Sequence, residues 1–222
     1  MLVTRTSGLY DLTPYRVAII GCGGIGSITA FTLAKMGIED MILYDFDVVE
    51  EENIGTQLFA KQHIGKPKAE ATRDIIKYFL DVDVKYEIQT VNRNTVLPER
   101  DVIISAVDSI EARKEIARAV AKTKWDYYID PAMSLEYFNI SIIYPQIMED
   151  YIRYIDVIQD EEIPDLPCTS KVTYYTVSGI ASFIGYMMRE YATDHALPHI
   201  LALNYPTLSL NWHGNKRDTQ SV

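Results

Sequence analysis

The chain has 222 residues and a formal net charge of -10, with 31 acidic side chains against 21 basic ones. Because the basic residues are scattered, we expect no direct binding to the phosphate backbone of nucleic acid. Two cysteines, Cys22 and Cys168, form neither a disulfide framework nor the paired spacing of a zinc site, so we expect no zinc. No signal peptide begins the chain and no apolar run is long enough to cross a bilayer, which predicts a cytoplasmic protein without a membrane partner.

The first two thirds of the sequence alternate between apolar strand patterns and helical spacing. The predicted elements are strand 16–21, helix 24–36, strand 40–45, helix 67–80, strand 84–91, strand 101–107, helix 110–123 and strand 127–130. Gly37 is expected to end the first helix, since glycine accepts a left-handed cap. This alternation predicts an α/β fold, a Rossmann-like doubly wound sheet that is mostly parallel.

The last third of the chain changes its pattern. Apolar and polar residues alternate with period two over 135–144, which predicts an antiparallel C-terminal extension of the sheet. An acidic, proline-containing stretch at 149–171 predicts a long crossover loop. A helix over 172–191 and a strand over 200–210 are expected to follow. We predict one domain over 1–222, with an N-terminal arm at 1–15 and a polar tail at 211–222.

A glycine-rich turn follows the first predicted strand. Its glycines are Gly21, Gly23, Gly24 and Gly26. Glycines in this pattern allow a tight turn and close approach of the backbone to phosphate, at the N-terminus of a helix that attracts anions. Asp45 lies about 20 residues further on, where dehydrogenases place a ribose ligand. These features alone leave both a nicotinamide or flavin site and an ATP site open.

Three further motifs follow in order. They are Asp45-Phe46-Asp47-Val48-Val49, Asn53-Ile54-Gly55-Thr56-Gln57 and Gly65-Lys66-Pro67-Lys68. The combination resembles the ThiF/MoeB/HesA family of adenylating enzymes, which are related to the ubiquitin-activating enzymes. That family's signature is Asp-x-Asp-x-Val, Asn-x-x-x-Gln and Gly-x-Pro-Lys after the glycine turn. The match runs from about Val17 to Arg113 and implies a single ThiF-type adenylation domain.

The resemblance implies an ATP site with Mg²⁺. In it, Asp45 would hold the ribose hydroxyls, Gly24 and its neighbours the phosphates, Lys68 the phosphate charge and Asp108 the metal. The remaining residues of the implied nucleotide site are Gly21, Gly23, Gly26, Asp47, Asn53, Gln57 and Arg113. The chemistry suits these residue types, because magnesium prefers oxygen ligands and attack on an α-phosphorus needs cations where charge accumulates.

Two positions depart from the family pattern. Thr56 stands where members commonly carry an arginine that faces the triphosphate, and Ser109 replaces the asparagine that follows the metal-binding aspartate. The resemblance implies a homodimer in which Arg5 of a partner subunit supplies positive charge. A non-catalytic, nucleotide-binding scaffold of the same fold remains an alternative.

Cys168 lies in the sequence Pro167-Cys168-Thr169-Ser170, just before the predicted helix at 172. A helix N-terminus stabilises a thiolate, as a nucleophile requires. The short sequence resembles the context of the catalytic cysteine in ubiquitin-activating enzymes. An inert packing role is the alternative, because free cysteines are often buried. Cys22 is expected to be a small residue that faces strand packing.

The leading hypothesis is that the protein adenylates a carboxylate and that Lys68, Asp108 and Cys168 are its catalytic residues. By resemblance, the substrate is the C-terminal glycine of a ubiquitin-like or sulfur-carrier protein, with a thioester or persulfide then formed at Cys168. A carboxylate on a peptide or on a modified tRNA nucleoside is a variant of the same chemistry. An NAD-dependent oxidoreductase is a different class, in which Asn53, Gln57 and Lys68 would have no role.

Overall fold

A computed structural model describes residues 8–157 and 173–213. Its strands are β1 Arg16–Ile20, β2 Asp40–Tyr44, β3 Lys85–Glu87, β4 Val102–Ser105, β5 Tyr127–Met133, β6 Tyr137–Ile143, β7 Ile200–Asn204 and β8 Ser209–His213. Its helices are α1 Gly24–Lys35, α2 Lys68–Leu80, α3 Ile110–Val120, α4 Met148–Val157 and α5 Tyr174–Ala192. Within the described residues these strands form one sheet in the order β3-β2-β1-β4-β5-β6-β7-β8. The predicted fold class is confirmed.

The sheet has a parallel half and an antiparallel half. β1 pairs in parallel with β2 and β4, and β3 and β5 extend this half on either side. From β5 to β8 each strand pairs antiparallel with the next. The chain leaves β1 toward β2 and β3 and then returns to β4 on the other side of β1. This reversal creates a crevice at the carboxyl ends of β1 and β4, where open α/β sheets bind ligands.

Helices cover both faces of the sheet. Val17 and Ile19 of β1 point into one core, with apolar residues of α1, α2 and α5. Ala18 and Ile20 point into the other core, with residues of α3 and α4. Both sets of side chains are buried, which explains why the parallel strands are almost continuously apolar in sequence.

α1 is fixed by glycine at its end and by close packing along its side. Gly37 follows the helix with a φ of +109°, as predicted from the left-handed cap. On α5, a Cβ at Gly185 would lie 2.8 Å from Met36 Sδ and 3.5 Å from Thr32 Cγ2 of α1, so the absence of a side chain there leaves room for Met36. The helix that begins at the glycine turn therefore ends at Gly37 and packs against α5.

The structure corrects several predicted boundaries. The strand predicted over 84–91 is limited to Lys85–Glu87, and the single strand predicted over 200–210 is a hairpin of β7 and β8 that includes residues 211–213 of the predicted tail. In the predicted arm, Leu12 is buried in the core. The first part of the predicted crossover loop 149–171 is helix α4, and residues 158–172 lie outside the described ranges.

The helical character of α4 has a physical cause in the sequence. Met148, Tyr151, Ile152 and Ile155 follow the spacing of one helix face and belong to the core beneath α3 and α4. The acidic residues between them face solvent, so an acidic composition does not exclude a packed helix.

Among the described residues, no helix has both the length and the apolar character needed to cross a membrane.

Candidate nucleotide-binding site

The glycine turn connects β1 to α1 at the crevice. Gly21 has a φ of +93°, and a Cβ there would collide with the carbonyl of Ala106 after β4. A Cβ at Gly26 would overlap the carbonyl of Gly21, so this residue must be glycine for the turn to close. Gly23 differs, because a Cβ there would meet no atom within 4 Å. The turn is thus compact on its protein side and open at Gly23.

The N-terminus of α1 faces this open side without a cap. Gly23 is the N-cap residue and makes no side-chain capping bond, and no acidic residue occurs in the first turn. The first N–H groups of a helix have no intrahelical partner, and the helix dipole places partial positive charge there. Backbone of this kind is suited to a phosphate group.

Asp45 ties the glycine turn to the loop after β2. Its carboxylate accepts a hydrogen bond from the Cys22 N–H at 2.5 Å and from the Asp47 N–H at 2.8 Å. Burial raises the pKa of Asp45, and these two hydrogen bonds together with the Lys68 charge oppose the shift. The predicted ribose ligand therefore also shapes the turn that approaches the phosphates.

Lys68 is brought to the same loop. Lys68 Nζ lies 2.9 Å from Asp47 Oδ2, and the Lys68 N–H donates to the Asp47 carbonyl at 2.8 Å. The Val49 N–H donates to the Lys66 carbonyl at 2.9 Å, which extends the pairing of the two segments. Two motifs that are 20 residues apart in sequence thus form one unit beside the glycine turn.

Asn53 and Gln57 shape the segment between these motifs. Asn53 Oδ1 accepts the Glu50 N–H at 2.9 Å, and the Asn53 carbonyl accepts the Gln57 N–H at 2.9 Å. Within the described residues, Gln57 Oε1 is buried and has no hydrogen-bond partner. A buried acceptor of this kind is normally satisfied, and a ligand hydroxyl or amine is a suitable donor. Ser27 Oγ accepts the Leu58 N–H at 3.3 Å, a link to α1 that sequence reasoning missed.

Asp108 follows β4 and is exposed at the crevice. Its neighbour Ser109, which replaces the family asparagine, caps α3 by accepting the Ala112 N–H at 3.1 Å. In ranges 8–157 and 173–213 there is no cluster of three or more His, Cys, Asp or Glu side chains suited to a metal. A single carboxylate fits Mg²⁺ that is held mainly by substrate phosphates and water.

Arg113 lies behind Asp108 with its guanidinium engaged by protein groups. It is paired with Asp130, and its Nη2 donates to the carbonyls of Val107 at 2.7 Å and Pro131 at 2.9 Å. The side chain is 9% exposed. The contact between Arg113 and a nucleotide was predicted by resemblance, whereas these bonds give the residue a role in fixing the loop that carries Asp108.

Sequence reasoning missed the partner of Arg113 and the residue that supports that partner. Asp130 lies in β5, and Tyr151 of α4 donates a hydrogen bond to it. Burial raises the pKa of Asp130 while Arg113 opposes the shift. The available signal was weak: Asp130 follows an apolar strand segment, as Asp45 and Asp108 do.

Comparison with known proteins agrees with the motif resemblance. The model of the ThiF family matches residues 1–142. The chain belongs to the ThiF family. Its curated relatives include ubiquitin-like modifier-activating enzyme 5 of Drosophila willistoni, at 36% identity over 121 residues, and of Rattus norvegicus, at 34% over 122. These alignments cover 46% and 47% of this chain and 29% and 30% of the relatives, so the match spans about a third of their length.

Solved structures with the same fold cover more of the chain. Escherichia coli MccB, in a crystal structure with ATP, has a TM-score of 0.70 and 17% identity over 91% of this chain and 64% of MccB. PaaA has a TM-score of 0.69 and 20% identity over 90% of this chain and 64% of PaaA. At these identities the likeness shows the fold.

The remaining predicted residues of this ThiF-family chain are placed as follows. Cys22 is fully buried, and burial, with Asp45 nearby, raises the pKa of its thiol, in line with the expected packing role. Thr56 is partly buried and its N–H donates to the Asn53 carbonyl at 3.3 Å. Arg5 and Cys168 lie outside the described residues, and their roles stay predictions.

A separate groove of about 940 Å³ lies between α1 and α2. Apolar side chains such as Phe31, Ile75 and Phe79 line it together with polar ones, which include the Lys66 and Asp74 ion pair. Neither the glycines of the turn nor Asp108 line this groove. It is therefore distinct from the candidate nucleotide site.

Proposed function

We propose that this ThiF-family chain is an ATP-dependent adenylyltransferase that activates a carboxylate as an acyl-adenylate. The observation that carries the proposal is the uncapped N-terminus of α1, which is open at Gly23. The loop with Asp108 follows the strand on one side of β1, and the paired segments of Asp47 and Lys68 follow the strand on the other side. Hydrogen bonds join the glycine turn to Asp45, Asp45 to Asp47 and Asp47 to Lys68. A dehydrogenase site does not require Asp47 and Lys68.

Each residue has a defined part in this reaction. The backbone N–H groups at Gly24 bind phosphate oxygens, and Asp45 accepts hydrogen bonds from the ribose hydroxyls. Lys68 moves from Asp47 to the phosphates and stabilises the charge that accumulates when a carboxylate attacks the α-phosphorus. Asp108 holds Mg²⁺, which neutralises phosphate charge when bound. The products are the acyl-adenylate and pyrophosphate.

The proposed substrate is the C-terminal glycine of a ubiquitin-like or sulfur-carrier protein. The support is the similarity to ubiquitin-like modifier-activating enzymes, which covers about half of this chain. A peptide carboxylate is the second candidate. The support is the similarity in fold to MccB, which covers most of this chain, and the crystal structures of MccB include one with MccA. In our proposal, the thiolate of Cys168 then attacks the activated carbonyl, forms a thioester and releases AMP, and the protein acts as a homodimer.

Isotope exchange between pyrophosphate and ATP tests the adenylation step. We expect exchange that depends on a carrier protein with a free C-terminal glycine, and no exchange with a carrier truncated at that glycine. Asp108→Ala should abolish exchange, while Glu111→Ala, an exposed acidic residue three positions further in the first turn of α3, should retain it. Equal exchange in both variants would contradict the metal assignment.

Direct binding measurements separate the competing classes. We expect calorimetric titration to show binding of ATP with Mg²⁺ and weaker binding of NAD. The reason is that Lys68 has no role in the usual dinucleotide-binding site. Tight NAD binding without ATP binding would contradict the proposal. ATP binding without exchange for any carrier or peptide would favour a non-catalytic, nucleotide-binding scaffold. The departures from the family pattern at Thr56 and Ser109 are the reason for this alternative.

A further inference from the structure

A buried polar chain runs from α4 to the loop that carries Asp108. Tyr151 donates to Asp130, Asp130 pairs with Arg113, and Arg113 donates to the Val107 carbonyl at 2.7 Å. Val107 and Asp108 share a peptide unit, so the bond to Arg113 fixes the backbone from which the Asp108 side chain projects.

Arg113 also links the loop to the neighbouring strand β5. Its second carbonyl contact, to Pro131 at 2.9 Å, belongs to β5, while the Val107 carbonyl belongs to the loop after β4. A planar guanidinium that makes both bonds sets the distance between these two backbone segments. The same loop touches the glycine turn, because Gly21 lies against the Ala106 carbonyl.

The carboxylate behind the guanidinium is satisfied on both oxygens. Asp130 Oδ1 pairs with Arg113 and Oδ2 accepts the Tyr151 hydroxyl. Asp130 and Arg113 are both at least nine-tenths buried, so loss of either partner would leave an uncompensated charge. Removal of the Tyr151 hydroxyl would leave Asp130 Oδ2 without this hydrogen bond.

We propose that Asp130 and Tyr151 are positioning residues for the metal ligand Asp108, acting through Arg113 and the Val107 carbonyl. This inference rests on the proposed function, in which Asp108 holds the metal. Residues behind a metal ligand commonly affect metal affinity by about 10- to 100-fold when they are changed. A purely structural role would lower stability and leave metal affinity in the folded protein unchanged.

The matched variants are Tyr151→Phe and, as a control, Asp156→Asn. Both weaken one polar contact between α4 and the rest of the fold, since Asp156 pairs with Arg118 of α3 and asparagine removes the charge of that pair, but only the first variant changes a contact of Asp130. Tyr151→Phe keeps the aromatic ring that packs on Tyr128. Asp130→Asn is the stronger test, and if it fails to fold, Tyr151→Phe still decides.

Two measurements on the full chain complete the test. Electron paramagnetic resonance of Mn²⁺ with a non-hydrolysable ATP analogue should show about tenfold weaker metal binding for Tyr151→Phe and unchanged binding for Asp156→Asn. Hydrogen exchange at residues 106–109 should be faster in Tyr151→Phe only. Wild-type binding with equal metal affinity in both variants would overturn this inference alone. Absence of Mn²⁺ binding in the wild type would overturn the proposed function and this inference together.

Discussion

Lys68 and Asp47 hold each other through both side chain and backbone. Lys68 Nζ lies 2.9 Å from Asp47 Oδ2, and the Lys68 N–H donates to the Asp47 carbonyl at 2.8 Å. The lysine side chain is 11% exposed and the aspartate 48% exposed. Because the carboxylate of this ion pair is half exposed to solvent, which weakens the pair, we expect the lysine to exchange its partner for a phosphate at modest cost. The backbone bond keeps the lysine in place during that exchange.

Lys68→Ala is therefore expected to affect the reaction far more than the fold. We expect pyrophosphate exchange to fall about 10²-fold or more, because a cation placed at developing charge is lost. Lys66→Ala is the matched control, since Lys66 is two residues away and pairs with Asp74 instead. Similar rates in the two variants would show that Lys68 does not face the phosphates.

Gly26 and Gly23 should separate folding from nucleotide binding. Gly26→Ala places a Cβ on the Gly21 carbonyl, and we expect a loss of stability of about 1–3 kcal/mol in urea unfolding. Gly23→Ala meets no protein atom within 4 Å and should leave unfolding nearly unchanged. Its ATP affinity in calorimetry should still fall, because the methyl group occupies the open side of the turn. Unchanged affinity would place the phosphates elsewhere.

The sequence pattern predicted the parallel half of the fold, and the family resemblance implied that the motifs share one site; a rule of open α/β sheets explains why they do. The carboxyl ends of parallel strands meet at one edge, so the residues after β1, β2 and β4 had to lie together. The structure brings Gly21 and Asp45 into contact through Cys22, and Lys68 follows through Asp47. The function of Ser109 as a helix cap was also within reach of sequence rules.

The missed features depend on contacts that no local pattern contains. The pairing of Arg113 with Asp130 requires the position of β5 beside β4 and the burial of both charges. Likewise, the single strand predicted over 200–210 is two strands, β7 and β8. They pair antiparallel with Leu203 opposite Leu210, so the chain turns after Asn204. Pattern rules give the elements, whereas tertiary packing decides which side chains become partners.

Glu115 should make stability depend on pH in the acid range. Hydrogen bonds from Arg93 lower the pKa of Glu115 to about 2 from its ordinary 4.5. The stabilisation is complete above about pH 4.5 and is lost as the pH falls toward 2. The difference in urea midpoint between wild type and Glu115→Gln should shrink to less than half between pH 7 and pH 3. The same substitution in an Arg93→Gln background should have little effect, and a pH-independent difference would contradict the pairing.

A homodimer with shared sites predicts complementation between two inactive variants. Thr56 lacks the positive charge that family members supply at this position, and we propose that Arg5 of the partner subunit supplies it. Arg5→Ala and Lys68→Ala should each be inactive in pyrophosphate exchange, because each removes a phosphate contact. Mixed dimers should regain activity, since one site then has both residues. Sedimentation as a monomer, or no activity on mixing, would exclude this arrangement.

Cys168 is expected to act after adenylation. It lies 100 residues beyond Lys68, outside the nucleotide motifs, so its loss should not affect binding of ATP or formation of the adenylate. A thiolate that attacks the activated carbonyl forms a thioester and releases AMP. A reducing thiol then cleaves the thioester. Cys168→Ala should keep pyrophosphate exchange and lose the thiol-sensitive adduct with the carrier. Cys22→Ala is the control, because its buried thiol has a raised pKa and should form no adduct. If the Cys168 variant forms the same products at the same rate as wild type, the protein releases its substrate as the adenylate.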